Sequence, residues 1–339
     1  MSGDKILEKR IGQSVNQTPQ VSVVIPAYNC AEFVGETLDA VFAQTFKDYE
    51  IVLVNDGSPD TEKLETVLEN YFERITYIRQ KNGGTAAARN TAIENAGGEF
   101  LAFLDGDDIW LPEYLESQTS AIALKDCDLI YTDALLFGSV RDESETFMVN
   151  APSNGAVTTV SLLNGKCNLI TSGTLARRDK ILEAGMFDED LPRIGVEDFD
   201  LWFRLAKSGA RLDYQKKVLL KYRVSPVSLS GGSIQRAERS ITGYQILEKK
   251  HDLTEAESCE LKKQLELAFA NLEIEKGKYN LIRENFAEAR LNFREANKYY
   301  RKFKYSALDS FLRVNPKLVL KLFKRARPTE VAFICPPKK

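Results

Sequence analysis

Two carboxylates separated by one residue follow a strand-like run near position 105. The cluster reads Asp105-Gly106-Asp107-Asp108. Asp105 and Asp107 on a turn can face one divalent cation, because Mg²⁺ and Mn²⁺ prefer oxygen ligands and often combine one or two carboxylates with substrate phosphates. Such an ion would neutralise charge that builds up on a departing diphosphate. The alternative interpretation is an acidic turn in which Asp108 caps a helix that starts at Ile109.

Asp56 follows a second strand-like run, IVLVN at residues 51–55. A carboxylate at this place can accept hydrogen bonds from a nucleobase N–H or from a ribose hydroxyl. The alternative is an ordinary turn aspartate, because Asp-Gly-Ser is a frequent loop sequence.

Glu197 and Asp198 begin an amphipathic segment. Its apolar positions recur at helical spacing and are Phe199, Leu201, Trp202 and Leu205. Acids in the first turn of a helix often only complement its dipole. In a cleft, such a carboxylate could instead deprotonate an attacking hydroxyl as a general base. Because the only histidine is His251, a carboxylate is the leading candidate for this role.

A glycine-containing loop, Asn82-Gly83-Gly84-Thr85, precedes an alanine-rich stretch that contains Arg89. A loop of this kind at a helix N-terminus suits an anion. Arg89 could face a phosphate, or it could pair with an acidic neighbour. The loop matches neither the G-x-G-x-x-G fingerprint of dinucleotide sites nor a phosphate loop that ends in G-K-[ST].

Four strand-like runs alternate with helix-like segments in the first hundred residues. They lie at residues 21–29, 51–55, 75–79 and 99–104. This alternation predicts an α/β fold with a mostly parallel, doubly wound sheet flanked by helices. Such sheets bind ligands beyond the carboxyl ends of their strands. The acidic clusters follow those ends, so we expect the carboxylates of Asp56, Asp107 and Asp198 to converge on one cleft.

The remaining chain divides by composition. We expect a flexible N-terminus at residues 1–20, an α/β domain at 21–224, a Ser/Gly-rich lid or linker at 225–233, a helical region at 234–327 and a tail at 328–339. The helical region is all α. It contains one hairpin of tetratricopeptide type, with Gly277-Lys278-Tyr279 between its two apolar stripes.

The helical region has two alternative uses. The hairpin could pack on the α/β domain or mediate a homo-oligomer. The basic amphipathic segment at residues 319–327 could instead make peripheral contact with an anionic membrane surface, such as the inner face of the cell membrane.

Composition narrows the class of protein. The chain has 339 residues and a formal net charge of -3, which argues against a dedicated nucleic-acid binder. Its five scattered cysteines are typical of reduced thiols. The sequence has neither a run of about 20 apolar residues nor a charged start followed by a signal-peptide core. We therefore expect a cytoplasmic location.

Five blocks, in this order, closely resemble the family 2 glycosyltransferases with the GT-A fold. They are VSVVIPAYN (21–29), QTFKDYEIVLVNDGSPD (44–60), the stretch from NGGTAAARN to FLDGDDIW (82–110), SGTLARRDKILEAGMFDEDL (172–191) and VEDFDLWFRLA (196–206). The resemblance covers residues 21–223, about two-thirds of the chain. It leaves out the helical region.

The resemblance implies a donor side of the site. Its residues would be Pro26, Ala27 and Tyr28 around the nucleoside, Asp56 at the base or ribose, Arg89 near the donor, and Asp105, Gly106 and Asp107 at the diphosphate. Asp107 would be the more direct ligand of a Mn²⁺ or Mg²⁺ ion, with Asp105 as its partner.

The resemblance also implies an acceptor side. Asp198 would be the catalytic base, with Glu197 as a support or acceptor contact. Trp202 would be the aromatic residue that often follows the base, although a role in the core is an equal alternative.

The implied activity is that of a hexosyltransferase-type enzyme that inverts configuration. It would move one sugar from a nucleotide-diphosphate sugar, most simply a UDP-sugar, to a hydroxyl of a glycan or lipid-linked acceptor. Two rivals stay open: a nucleotidyltransferase, and a non-catalytic scaffold that binds sugar nucleotides. One departure bears on the second rival, because Ser225 stands where relatives often carry a histidine in R-x-H-x-x-S-x-S.

Overall fold

The computed structural model describes residues 5–138, 145–224 and 233–327. The chain divides into two compact units, residues 1–228 and 229–339. Ser225, the rest of the predicted lid up to residue 232, and the predicted tail from residue 328 lie outside the described residues.

The first unit is built on one sheet. Its described strands are β1 (Ile6–Ile11), β2 (Val21–Ala27), β3 (Tyr49–Asn55), β4 (Thr76–Gln80), β5 (Phe100–Phe103), β6 (Ile109–Trp110), β7 (Leu129–Phe137), β8 (Thr174–Arg177) and β9 (Leu212–Arg223). Its described helices are α1 (Val34–Phe42), α2 (Thr61–Leu68), α3 (Thr85–Glu94), α4 (Tyr114–Lys125), α5 (Phe147–Asn150), α6 (Thr159–Leu163), α7 (Arg178–Glu183) and α8 (Glu197–Lys207). Short 3₁₀ turns lie at Phe72–Arg74 and Thr171–Gly173.

The strand order creates a switch point in the sheet. The order is β1-β4-β3-β2-β5-β8-β7-β9-β6, and the central strands β4, β3, β2 and β5 are parallel to one another. The chain winds from β2 through β3 to β4 on one side, and then returns to place β5 on the other side of β2. Open α/β sheets bind ligands outside the carboxyl ends of strands at such a point.

A hydrophobic core covers each face of the sheet, because successive side chains of a strand point to opposite faces. Val23 of β2 and Leu53 of β3 lie in the core that also contains residues of α1, α2 and α4. Val24 and Val52 lie in the other core, together with residues of α3, α7 and α8. Burial on both faces explains the nearly continuous apolar runs of β2 and β3. The predicted α/β architecture is confirmed, with antiparallel pairs added at β1–β4, β5–β8, β7–β8 and β6–β9.

The expectation of a flexible N-terminus up to residue 20 is wrong for its described part. β1 pairs with β4 in antiparallel register, Lys9 opposite Ile78, and Glu8 forms an ion pair with Arg79 at 3.2 Å. β1 is an edge strand whose side chains are mostly exposed. Its polar composition, which is typical of edge strands, made it look like a loop.

The second unit is helical, as predicted. Its described helices are α9 (Ser233–Lys250), α10 (Glu255–Ile282), α11 (Phe286–Tyr300), α12 (Phe303–Val314) and α13 (Pro316–Ala326). Within the described ranges, no helix has the length and apolarity that crossing a bilayer requires.

The predicted break of the hairpin at Gly277-Lys278-Tyr279 is wrong. α10 continues through these residues to Ile282, and the turn follows, where Glu284 adopts a φ of 63°. Gly277 is buried in the helix because α11 approaches it closely: a Cβ atom there would lie 2.8 Å from the ring of Phe293.

Candidate active site

The carboxylate of Asp56 lies just beyond the end of β3 and organises the loop that follows β4. Its Oδ1 accepts hydrogen bonds from Gln80 Nε2 at 2.6 Å and from the Gly83 N–H at 2.8 Å, and its Oδ2 accepts one from the Gly84 N–H at 2.8 Å. Asp56 is buried, with 2% of its surface exposed. Its carboxylate therefore contacts the end of β4 and the glycine loop.

The end of β2 lies between this loop and the acidic turn after β5. The Asp56 N–H donates to the Ala27 carbonyl at 3.0 Å, and Tyr28 is 55% exposed just beyond it. On the other side, a Cβ atom at Gly106 would lie 2.9 Å from Cys30 Sγ and 3.3 Å from the Pro26 carbonyl. The acidic turn thus packs against the end of β2, and a glycine at 106 permits this close approach.

Arg89 of α3 joins the acidic turn to the start of α8. Its Nη2 lies 2.7 Å from Asp105 Oδ1, and its Nη1 lies 3.2 Å from Glu197 Oε1. The Arg89 side chain is only 4% exposed. Burial lowers the pKa of Arg89, but the charges of Asp105 and Glu197 raise it by more, so that it lies above its usual range. Arg89 is therefore a fixed positive charge between two acidic elements.

The carboxylate of Asp107 lies at the rim of the acidic turn and has a raised pKa. Burial raises its pKa to about 6, the charge of Asp105 adds to this rise, and Arg223 opposes it. Burial also raises the pKa of Asp108 well above its usual range, with Asp107 as the next cause. The three carboxylates repel one another, and a bound cation would relieve that repulsion.

Arg223 at the end of β9 holds the backbone of the same turn. Its Nε donates to the Asp107 carbonyl, and its N–H donates to Asp108 Oδ1, both at 2.8 Å. The guanidinium carbon lies 4.4 Å from the ring centroids of both Phe33 and Phe137. The alternative that Asp108 caps a helix at Ile109 is wrong, because Ile109 begins the short strand β6.

Asp198 lies in the first turn of α8, beside the 3₁₀ turn that precedes β8. Its Oδ2 accepts a hydrogen bond from Thr171 Oγ1 at 3.0 Å, and its Oδ1 accepts one from the Phe199 N–H at 2.7 Å. The neighbouring Glu197 is largely buried, and burial followed by the charge of Asp198 raises its pKa, while Arg89 lowers it.

Thr171 and Ser172 are residues that the sequence analysis missed. Thr171 contacts Asp198, and the next residue, Ser172, accepts a hydrogen bond at its Oγ from the Asp105 N–H at 3.1 Å. One short turn therefore touches both the acidic turn and the start of α8. The Ser-Gly-Thr block at residues 172–174, directly after Thr171, is the sequence signal that marks this turn.

Trp202 is a core residue in the structure and not an acceptor-side residue. It is 2% exposed, and its ring packs edge-to-face against Phe103 and Phe187, with centroids 6.0 and 6.3 Å away. A side chain so enclosed has no surface left for an acceptor.

The remaining predicted site residues are joined by short contacts. Asp107 belongs to the turn whose Asp105 pairs with Arg89, and Arg89 pairs with Glu197 beside Asp198. The same turn packs on Pro26, and Ala27 bonds to Asp56. Residues that are 142 positions apart, Asp56 and Asp198, are therefore connected through one set of contacts at the carboxyl edge of the sheet.

The acidic turn has the chemistry of a Mg²⁺ or Mn²⁺ site. Asp105 and Asp107 offer carboxylate oxygens, and the Asp105 side chain is 34% exposed. Within the described residues, His, Cys, Asp and Glu side chains form no group of three or more that could hold a metal ion. Two carboxylates with an accessible rim fit the pattern in which substrate phosphates complete the coordination of such an ion.

Sequence comparison identifies the family. The sequence model of glycosyl transferase family 2 matches residues 22–183. A glycosyltransferase of Rickettsia typhi is 31% identical over 232 residues, which cover 65% of this chain and 69% of that protein.

The chain belongs to glycosyltransferase family 2.

Some relatives are much longer than the matched region. A glycosyltransferase of Rickettsia bellii is 32% identical over 212 residues, which are 60% of this chain and 30% of the relative. The chain thus spans about a third of the length of this and two further Rickettsia relatives.

Two solved structures share the fold. The mannosyltransferase PcManGT of Pyrobaculum calidifontis, solved with GDP-Man and Mn²⁺, aligns with a TM-score of 0.62 at 19% identity over 96% of this chain and 87% of that one. S. aureus TarS 1–349, solved with UDP-GlcNAc, aligns with a TM-score of 0.54 at 20% identity over 83% of this chain and 91% of that one. The fold of the first unit is therefore of the GT-A type.

Proposed function

We propose that the chain is an inverting glycosyltransferase that moves a sugar from a nucleotide-diphosphate sugar to a hydroxyl of a glycan or lipid-linked acceptor. The observation that carries this proposal is the position of Arg89, which contacts Asp105 of the acidic turn and Glu197 beside Asp198. A metal-binding pair and a general base must flank the same reacting carbon, and the two ion pairs that join the acidic turn to the start of α8 support such an arrangement.

Asp198 is the general base of the proposed reaction. It takes the proton from an acceptor hydroxyl, whose oxygen attacks the anomeric carbon opposite the leaving nucleoside diphosphate. The new bond forms on the face opposite the broken one, so the configuration inverts. The Thr171 hydroxyl, 3.0 Å from Asp198 Oδ2, fixes the carboxylate so that Oδ1 and Oδ2 keep defined orientations.

Asp107 and Asp105 are the proposed ligands of a Mn²⁺ or Mg²⁺ ion. When bound, the ion would neutralise negative charge on the leaving diphosphate. Burial and, after it, the charge of Asp105 raise the pKa of Asp107. The second cause supports this assignment, because a bound divalent cation would relieve the repulsion between the two carboxylates.

The donor is proposed to be a UDP-sugar. Its nucleoside would lie on Pro26, Ala27 and Tyr28 at the switch point of the sheet, where Tyr28 offers an exposed ring. Asp56 would act on the same pocket indirectly, because its carboxylate accepts the hydrogen bonds that hold the glycine loop in position. TarS, which shares the fold, has been solved with UDP-GlcNAc, so uridine donors come first in the test.

The test is a panel of nucleotide-sugars, with Mn²⁺ and a mixture of glycan and lipid-linked acceptors. The proposal expects release of a nucleoside diphosphate that depends on both metal and acceptor, and a product of inverted anomeric configuration by NMR. Release of pyrophosphate from a nucleoside triphosphate would indicate a nucleotidyltransferase. Donor binding with no release from any donor would indicate a binding scaffold.

A further inference from the structure

Helix α12 presents large apolar side chains on its outer face. Phe303, Phe311 and Val314 are 86%, 64% and 83% exposed. Their spacing of eight and three residues places them on one side of the helix. The opposite side packs inward, with Leu312 buried and Leu308 half-buried in the core of the second unit. α12 therefore has apolar side chains on two faces, but only its inner face packs in the core of the second unit.

Helix α13 repeats this arrangement. Leu320 is buried in the same core, and Phe323 packs against it. Leu318 and Leu322, four residues apart and thus on one side of the helix, are 48% and 58% exposed. We use the name outer apolar surface for these two residues and the three exposed residues of α12: Phe303, Phe311, Val314, Leu318 and Leu322.

The segment that carries the outer apolar surface is rich in positive charge. Residues 301–327 contain nine Lys and Arg but a single acid, Asp309, in a chain whose net charge is -3. Asp309 is already paired, since its carboxylate lies 3.0 Å from Arg290 Nε. On α13, the cations beside Leu318 and Leu322 are Lys317, Lys321 and Arg325, all exposed.

We propose that the outer apolar surface and its cations bind the surface of an anionic lipid bilayer. Interfacial helices combine an apolar face with flanking Lys and Arg, and they bind through buried apolar area together with attraction to anionic headgroups. α12 and α13 have 12 and 11 residues, so at about 1.5 Å per residue each is far shorter than the bilayer core. Both helices therefore lie in the plane of the interface.

Other occupants fit this surface less well. A second copy that paired through the same surface would bring two strongly positive segments together. A double-stranded nucleic acid would use the cations but not the exposed Phe, Val and Leu side chains, since phosphate contacts dominate such binding. An anionic bilayer uses both features. It would also bring the chain to lipid-linked acceptors, a consequence that, unlike the binding itself, depends on the proposed function.

The experiment is flotation of the full-length protein with vesicles. The probes are vesicles of phosphatidylcholine alone and vesicles that also contain phosphatidylglycerol. We expect flotation with the anionic vesicles, weaker flotation with the neutral ones, and a decrease as salt concentration rises. No flotation with anionic vesicles, or equal flotation with both kinds, would overturn the proposal.

An apolar variant and its matched control locate the surface. The variant carries Phe303→Ser, Phe311→Ser and Val314→Ser; the control replaces exposed apolar residues of the first unit, by Leu124→Ser and Val149→Ser. We expect the variant to lower the vesicle partition coefficient by about tenfold or more, and the control to leave it unchanged. All three substituted residues of the variant are exposed, so thermal unfolding should match that of the parent. Equal loss in both proteins would contradict the assignment.

A charge variant tests the cations separately. It carries Lys317→Gln, Lys321→Gln and Arg325→Gln, and the matched control carries Lys262→Gln, Lys263→Gln and Arg294→Gln at exposed positions elsewhere in the second unit. We expect only the first set to weaken binding and to reduce its salt dependence. Measurement of the molecular mass in solution completes the test. If the parent forms a dimer but does not bind vesicles, and the apolar variant is monomeric, the surface binds a second copy of the chain and the bilayer proposal is rejected. Because flotation needs no donor, a protein without transferase activity could still pass it.

Discussion

The Thr171 hydroxyl donates a hydrogen bond to Oδ2 of Asp198 at 3.0 Å. Thr171 is 6% exposed and belongs to the turn whose Ser172 contacts the Asp105 N–H. The base proposed for the reaction is thus oriented by the same turn that supports the acidic pair.

Replacement of this threonine should affect turnover more than donor binding. A hydrogen bond to a charged group contributes about 1.5–3 kcal/mol, so we expect Thr171→Val to lower kcat by about 10- to 100-fold. Donor affinity should stay within about twofold. Steady-state kinetics and calorimetric titration of the nucleoside diphosphate measure the two effects.

The conservative change is the control. Thr171→Ser retains the hydroxyl, so it should restore most of kcat. Equal defects in Thr171→Val and Thr171→Ser would show that the methyl group and its packing matter, and not the hydrogen bond.

Removal of the Arg89 guanidinium should destabilise the first unit. Arg89→Gln leaves two carboxylates, on Asp105 and the largely buried Glu197, without their shared cation. Breaking a buried ion pair on one side costs about 3–5 kcal/mol. Chemical denaturation followed by circular dichroism measures this loss of unfolding free energy.

A surface ion pair provides the comparison for Arg89. Arg177 lies 2.8 Å from Glu99, whose side chain is 56% exposed, so Arg177→Gln should change the unfolding free energy by about 1 kcal/mol or less. Similar effects of the two substitutions would mean that burial does not strengthen the Arg89 bridge.

The carboxylate of Asp107 in the acidic turn should lower the stability of the folded chain at neutral pH. The pKa of Asp107 is about 6 in the folded chain, above that of an exposed aspartate, so the folded state binds this proton more tightly than the unfolded state does. Ionisation of this carboxylate therefore lowers the free energy of unfolding as the pH rises from about 4 to about 6. Above that range the loss of stability stays constant.

Asp107→Asn should therefore be more stable than the parent at pH 7.5, by about 1–3 kcal/mol, and about equally stable at pH 4. Denaturation in the presence of EDTA at both pH values measures this difference. Asp190→Asn, on an exposed loop, is the control and should show no such pH dependence. A parent more stable than Asp107→Asn at pH 7.5 would contradict the repulsion inferred for this turn.

Buried parallel strands and the acids after them were predictable from the sequence. β2 and β3 are apolar at nearly every position because both faces of the sheet are covered, and this produces an unmistakable run of residues. The carboxyl ends of parallel strands share one edge, so the grouping of Asp56 with Asp105 also followed from the sequence alone.

Other features depend on contacts between distant segments. β1 is polar because it lies at a sheet edge, and nothing local separates it from a loop. Thr171 and Ser172 gain their partners only when α8 and the end of β5 approach them. Gly277 is of a type that favours turns, but it lies within a helix. A glycine is needed there because the ring of Phe293 on another helix packs directly against it. Trp202 is a different case: its place on the apolar stripe of α8 favoured burial, and only the resemblance suggested the acceptor side.

The measurement that tests the proposed reaction most directly is transfer by Asp198→Asn, with Mn²⁺ and the donor and acceptor found in the panel. General-base catalysis contributes about 100- to 10,000-fold, so the rate of transfer should fall by that factor while the Kd of the nucleoside diphosphate stays within about twofold. Asp190→Asn should transfer at the parental rate. If Asp198→Asn kept most of its turnover, Asp198 would not be the base, and the proposed mechanism would be wrong.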